Sequence, residues 1–244
     1  MFLKPDERLE DLCLGSMKVI QSKNGYRFSL DAVLLAYFAP LQQAKQVIDL
    51  GTGNGVLPLI LAYRKAALKI TGLDIQKNML ERAQRTIEYN KLEETIDFIY
   101  GDVKKITGLL PSESVDLVVC NPPFWRKGEG KLNDNLEVSV ARHEIWAELN
   151  DFIRAAAHVL KPKGKLAMIH RTDRLTEIFT VMSSQNMPAE KIRMIHTSLG
   201  DDSKLVLVQG CKNKTNKSLT VKSPLIVYDK PGQYSSEIKS YYGE

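Results

Sequence analysis

Cysteine is scarce in this 244-residue chain. Cys13, Cys120 and Cys211 lie far apart, form no CxxC pair and are too few for a disulfide framework. That excludes a disulfide-stapled module and points to a reducing cytoplasm. Long hydrophobic runs are also missing. No stretch reaches the roughly 18 apolar residues of a transmembrane helix, so no membrane span is expected. The start, Met1-Phe2-Leu3-Lys4-Pro5-Asp6-Glu7-Arg8, is charged and has no apolar core segment, so it does not read as a signal peptide. There is no internal repeat, no low-complexity linker and no second glycine-rich turn. His158, His170 and His196 fall in helix or strand patterns and look structural. No metal-ligand spacing occurs, so no metal is expected. Excess charge is small, at +5. Nearly all of it lies in the last sixth, where seven lysines between Lys204 and Glu244 face only Asp229, Glu237 and Glu244. Such a tail is either a solvated face or a surface that touches phosphates.

What is present is enough for one large domain: 43% hydrophobic and 26% charged residues over this length. Strand patterns cover 46–50, 69–75, 96–100, 115–120 and 165–170. Helical patterns cover 56–67, 76–92, 147–160 and 173–185, with apolar positions such as Met79, Leu80, Ala83 and Ile87 at helical spacing. Two final strands, 192–197 and 205–210, have no helix between them and should pair antiparallel. The alternation predicts an α/β fold with a mainly parallel sheet and helices on both faces. Before it, 17–20 and 26–28 flank Ser22-Lys23-Asn24-Gly25, and Asn-Gly is a strong hairpin signal. Ser29 then caps a helix. The expected organisation is a lid over 1–45, a core domain over 46–211 and a basic extension over 212–244 packed on or beside it.

Asn121-Pro122-Pro123-Phe124 follows the apolar run Val115–Cys120. Two prolines in succession halt regular structure, since neither donates a backbone hydrogen bond. The chain must turn a rigid corner at the carboxyl end of a strand, the edge where open α/β sheets bind ligands. Asn121 offers an amide oxygen, Pro122 a carbonyl and Phe124 an aromatic face. Two acceptors and a stacking plate suit an exocyclic amine on a flat ring. An ordinary Pro-Pro turn would look the same in isolation. Cys120 beside it reads as a small buried strand residue.

Asp49-Leu50-Gly51-Thr52-Gly53-Asn54-Gly55 joins the first of these strands to the first helix. Glycines there let the backbone turn sharply and a ligand approach closely. The third glycine comes one residue too early for a dinucleotide fingerprint, with Val56 where glycine should stand. Asp74 ends the next strand, nineteen residues after Gly55, where an acid accepts from ribose hydroxyls. Asp102, in Gly101-Asp102-Val103, ends the third and can accept from an adenine amine, with Ile75 and Val103 on the two ring faces. Each acid alone could be a solvated strand end. Together, four strand ends make one pocket.

These residues resemble a class I S-adenosylmethionine-dependent methyltransferase of the small-domain type, over residues 46–210. The resemblance implies a Rossmann-like seven-stranded sheet with its last strand reversed. It implies that Asp49, Gly51, Thr52, Gly53 and Gly55 hold the cofactor's methionine end, Asp74 its ribose, and Asp102 its adenine. It implies that Asn121, Pro122, Pro123 and Phe124 bind the target amine, with Asn121 also near the cofactor. More narrowly, the chain resembles the bacterial tRNA-Val adenine-N6 methyltransferase family. Asp11-Leu12 through Gly15, Tyr26-Arg27-Phe28-Ser29-Leu30-Asp31-Ala32, Ala141-Arg142-His143-Glu144 and Pro224-Leu225-Ile226-Val227-Tyr228-Asp229 carry that likeness. By it, Phe28 and Asp31 line the methionine end, or else simply pack the lid helix.

Residues 125–145 form a long polar loop. Arg126, Lys127, Arg142 and His143 either contact phosphates beside the target base or belong to a solvated loop, and Trp125 either stacks on a neighbouring base or pins the loop; His143 has no evident partner and receives no acid–base role. The expected activity is methylation of an exocyclic amine, adenine N6 in tRNA. Guanine N2 in ribosomal RNA, a glutamine amide in protein, a free metabolite amine, and a silent cofactor- or RNA-binding module remain alternatives.

Overall fold

The computed structural model describes residues 3–25, 29–129, 136–215 and 218–244, apart from the side chains of Leu136 and Arg142. In chain order the elements are β1 (Glu7–Asp11), β2 (Lys18–Ser22), α1 (Leu30–Phe38), β3 (Gln46–Leu50), α2 (Val56–Arg64), β4 (Lys69–Asp74), α3 (Lys77–Asn90), β5 (Ile96–Tyr100), α4 (Ile106–Leu109), β6 (Val115–Cys120) and α5 (Leu136–Arg142). They continue with α6 (Leu149–Val159), β7 (Leu160–Arg171), α7 (Leu175–Ser184), β8 (Ala189–Ser198), β9 (Leu205–Cys211), β10 (Thr220–Val221), β11 (Leu225–Lys230), β12 (Gln233–Tyr234) and α8 (Ser236–Tyr241).

Alternating side chains divide the core into two layers, as strand geometry requires. Val47, Leu117, Val119, Ala167, Ile169 and Leu207 face one cluster, with α1 and α2 packed over them. Ile48, Leu50, Val118, Cys120, Leu166, Met168, Val206 and Val208 face the other, under α6 and α7. Strands buried on both faces read as continuous apolar runs, which is why β3 and β6 were legible.

The sheet runs β12-β11-β8-β9-β7-β6-β3-β4-β5, with β10 also on β8. β9 is antiparallel to both β7 and β8, as its sequence predicted. The expected seven strands are all there, and the last of them is reversed. The sheet itself is ten-stranded, because β10 and β11 add in parallel to β8 and β12 turns back on β11. The chain moves from β3 outward to β4 and β5, then returns to place β6 on the other side of β3. That reversal is the topological switch point, where a crevice opens at the carboxyl ends.

One strand pairing was not expected, and two local expectations are corrected. Strand β2 pairs antiparallel with the upstream β1, Leu9 opposite Ile20, around a turn at Cys13 and Gly15, both left-handed. The expected partner 26–28 lies outside the described residues. Strand β1 is too charged to show alternation; Glu7 is buried in it because Arg85 of α3 grips both carboxylate oxygens at 2.6 Å. Strand β7 begins at Leu160, directly after α6, and a register shift against β6 absorbs the Pro162–Gly164 corner. The polar 125–145 segment holds a helix, α5. No described helix is long and apolar enough to cross a membrane.

Candidate active site

The parallel register sets the site. Leu50 of β3 pairs with Leu73 of β4 on one side and Cys120 of β6 on the other, and Asp74 pairs with Tyr100 of β5. The residues that follow each strand therefore emerge at one edge. They line a cleft of about 1070 Å3, its open mouth included. Asp49, Gly51, Thr52, Gly53, Asp74, Ile75, Asp102, Val103, Asn121 and Pro123 all lie on its wall.

The glycine turn is held by main-chain bonds. Gly51, Gly53 and Gly55 have φ of 79°, 55° and 75°, a region that L side chains rarely adopt. The amides of Gly51 and Thr52 donate to Leu73 O at 2.8 and 3.0 Å. The Gly53 amide donates to Asp74 Oδ2 and that of Gln76 to Asp74 Oδ1, both at 2.8 Å. Gly55 is not on the cleft wall. A Cβ there would lie 2.9 Å from Phe98 and 3.1 Å from Ala83, so this glycine serves close packing of α2.

Asp49 is 1% exposed, and burial raises its pKa to about 7, opposed by the Thr52 hydroxyl and assisted by Asp74. Its Oδ2 has no donor among the described residues. Burial also raises Asp74, against the pull of the Gln76, Gly53 and Ile75 amides. Asp102 caps the short turn after β5 by accepting from the Lys104 amide at 2.9 Å. Asp31 is off the cleft wall and accepts from Ser29 Oγ at 2.7 Å; burial raises its pKa. Phe28 lies outside the described residues.

The Asn-Pro-Pro corner stands at the switch point. Pro122 is buried behind the wall, while Asn121 and Pro123 reach it. Phe124 does not line the cleft. It packs on the core with its ring 5.4 Å from that of His170, tilted by 46°. His170 is fully buried, accepts from the Arg171 amide at 2.8 Å, and is pushed down to about 4 by burial and then by nearby Arg174. Cys120 packs beneath, its Sγ 3.3 Å from Leu50 O, and burial drives its thiol pKa well up.

The segment after the corner folds back over the cleft. Trp125 bridges to His143, and its carbonyl accepts from the Glu144 amide at 2.8 Å. The Arg171 guanidinium lies 3.9 Å above the Trp125 ring. Arg126 is exposed and paired with Glu129 and Glu177. Glu144 is buried, accepting from Arg174 at 2.7 Å and from the Leu149 amide at 2.9 Å. Arg174 also grips Glu177 at 2.6 and 3.0 Å. Glu137 of α5 pairs with buried Arg82 of α3. The side chain of Arg142 lies outside the described residues. Sequence reasoning missed His143, Trp146 and Phe152 as cleft-wall residues and Glu144 with Arg174 as the pair behind them. The Ala141–Glu144 motif was visible; its partners, distant in sequence, were not.

Residues 29–184, more than half of the chain, match the methyltransferase small domain family. This chain belongs to that family. It is an S-adenosylmethionine-dependent methyltransferase. Curated relatives named tRNA1(Val) (adenine(37)-N6)-methyltransferase include one from Shewanella halifaxensis, 26% identical over 89% of this chain and 91% of its own. Another, from Porphyromonas gingivalis, is 26% identical over 86% and 85%. Among solved structures, a predicted O-methyltransferase from Agrobacterium tumefaciens superposes with TM-score 0.70 at 24% identity, over 87% of this chain and 95% of that one. A SAM-dependent methyltransferase from Aquifex aeolicus does so with TM-score 0.54 at 16% identity, over 74% and 89%. Those two likenesses speak for the fold of this methyltransferase alone.

Proposed function

We propose that this methyltransferase acts on an exocyclic amine, adenine N6 of a tRNA. The observation that carries the reading is the pairing of Leu50 with Cys120, which sets the glycine turn and the Asn121 corner side by side on one cleft. The relatives named for tRNA adenine methylation favour that amine over guanine N2 or a glutamine amide.

The wall chemistry fits the cofactor. Left-handed glycines leave backbone open to close approach, and Asp49 keeps an oxygen without a donor for the cationic methionine end. Asp74, oriented by two amides, has lone pairs left for ribose hydroxyls. Asp102 accepts from the adenine amine, and Ile75 and Val103 cover the ring. Phe28 and Asp31 would complete the methionine end from the lid side. When bound, the cofactor supplies an electrophilic methyl group.

The chain's own residues then do the rest. The adenine amine is a poor nucleophile because its lone pair is delocalised into the ring. Asn121 Oδ1 and the Pro122 carbonyl accept its two hydrogens and draw the nitrogen toward tetrahedral geometry. The lone pair is thereby localised toward the methyl group. Catalysis is positioning plus dipoles matched to the positive charge that develops on nitrogen. Phe124 lies off the described cleft wall, braced by His170, and would stack on a base that enters beyond that wall. Trp125, Arg126 and Arg142 contact the flanking RNA. A loop adenine is the better substrate, since a helical one must first be flipped out. The test is transfer of labelled methyl from S-adenosylmethionine to RNA of a strain lacking this gene, followed by nucleoside analysis. Label in N6-methyladenosine of tRNA is expected. Label in N2-methylguanosine, or in protein alone, overturns the substrate reading.

A further inference from the structure

Carbonyl oxygens hold the amine's hydrogens but are weak bases. Methylation leaves a cationic nitrogen inside a cleft, and its proton needs a destination. The acids on the cleft wall sit at the cofactor side. Asp49 lies in the floor of β3, Asp74 is engaged by the Gly53 and Gln76 amides, and Asp102 by that of Lys104. Glu144 is tied to Arg174 and Leu149.

His143 is placed differently. It follows α5 and is only 4% exposed, yet it lines the cleft together with Asn121 and Pro123. Its bridge to Trp125 ties it to the residue after the corner, while its amide closes the last turn of α5 on Ser139 O at 2.9 Å. Its Nδ1 is shielded from water and has no hydrogen-bond partner among the described residues. Buried polar atoms without partners are rare in folded proteins, and one in a residue that lines a cleft calls for a partner that binds there.

We propose that His143 Nδ1 accepts the proton released by the target amine. The inference rests on the amine-methylation reading above. The amine nitrogen bonds to the methyl carbon as the carbon–sulfur bond breaks and its electron pair stays on sulfur. One N–H proton of the resulting cation passes to the Nδ1 lone pair. The imidazolium returns that proton to solvent as products leave.

The test compares His143→Gln, His143→Ala and His143→Phe with the wild type, using S-adenosylmethionine and tRNA. Melting temperature reports folding, and calorimetry with S-adenosylhomocysteine reports the cofactor site. For the Gln and Ala variants, kcat is expected to fall about 100-fold, within the range of general-base losses. KM for RNA and the calorimetric Kd should stay within about threefold, the pattern of an interaction made only in the transition state. Free imidazole should restore part of the His143→Ala rate and none of the His143→Phe rate. Unchanged kcat in the Gln variant overturns the proposal. So does a kcat loss matched by an equal loss of S-adenosylhomocysteine affinity, which would make His143 a cofactor ligand. If Ala or Phe fails to fold, the Gln variant decides through those same two comparisons. A wild type that labels guanine or a glutamine amide overturns only the tRNA reading, and the variant-to-wild-type ratio is then read on that amine. A wild type that labels none of them overturns both.

Discussion

The two walls of the cleft are built by different forces. The wall we assign to the cofactor follows β3, β4 and β5 and is held by main-chain bonds over short turns: Gly51 and Thr52 to Leu73 O, Gly53 and Gln76 to Asp74. The wall we assign to the substrate follows β6 and is held by side chains that meet across long stretches of sequence. Arg174 reaches Glu144, Arg82 reaches Glu137, and Arg171 covers Trp125. Main-chain turns are set by residue type within a few positions. Charged pairs between distant segments depend on the whole fold. The cofactor wall should therefore tolerate damage to the other wall, and substrate engagement should be the more easily lost.

Breaking the pair behind the substrate wall tests this most severely. Arg174→Met leaves the buried Glu144 carboxylate without its cation and should destabilise the protein by about 3–5 kcal/mol in denaturant unfolding. Glu144→Gln added to it should recover much of that loss, and a double-mutant cycle measures the coupling. At temperatures where Arg174→Met is folded, RNA should bind more weakly while S-adenosylhomocysteine binds as in the wild type. Equal loss of both would erase the distinction between the walls.

Asn121→Ala removes one acceptor at the point where the walls meet. Single-turnover rates should fall about 100- to 1000-fold, by analogy with the loss of one oxyanion-hole donor. Calorimetric affinity for S-adenosylhomocysteine should hardly move. Trp125→Ala removes an exposed ring beside the corner and should weaken RNA binding by about 1–3 kcal/mol, the scale of a base–aromatic stack. Filter binding at fixed salt measures it.

The cofactor wall is expected to respond to pH instead. Burial raises Asp49 from 3.8 to about 7 in the folded protein. Between those values the folded state holds more protons than the unfolded one, so stability falls as pH rises. The slope is at most about 1.4 kcal/mol per pH unit for one group, and it is gone above the folded pKa. Asp49→Asn should flatten that slope in denaturant titrations without ligand. S-adenosylhomocysteine, whose amino group favours the ionised carboxylate, should bind more tightly as pH rises toward about 7. A flat profile in the wild type would remove Asp49 from the methionine end.

The same contrast explains what could be read early. Strands 46–50 and 115–120 were legible because burial on both faces leaves a largely apolar run, and edge strand 96–100 was legible from Ile96, Phe98 and Ile99 despite an exposed Asp97. The reversed β9 was legible because no helix separates it from β8. The pairing of β2 with β1 was not legible, because β1 draws its place from a distant Arg85. Helix α5 was hidden in a polar segment whose Glu137 is anchored by Arg82. The tail was read as a basic extension, and only the fold shows β11 joining the sheet edge beside β8.

By itself, the sequence determined the alternation of strands and helices, the glycine turn, the acids at strand ends and the Asn-Pro-Pro corner. Each depends on residues within one turn or one strand, where backbone geometry follows from residue type. The tertiary structure alone decided that these four ends share one cleft, that Gly55 serves the packing of α2, and that His143 lines the same cleft as Asn121. Those facts depend on strand order and on contacts between segments far apart in the chain, which no local pattern encodes.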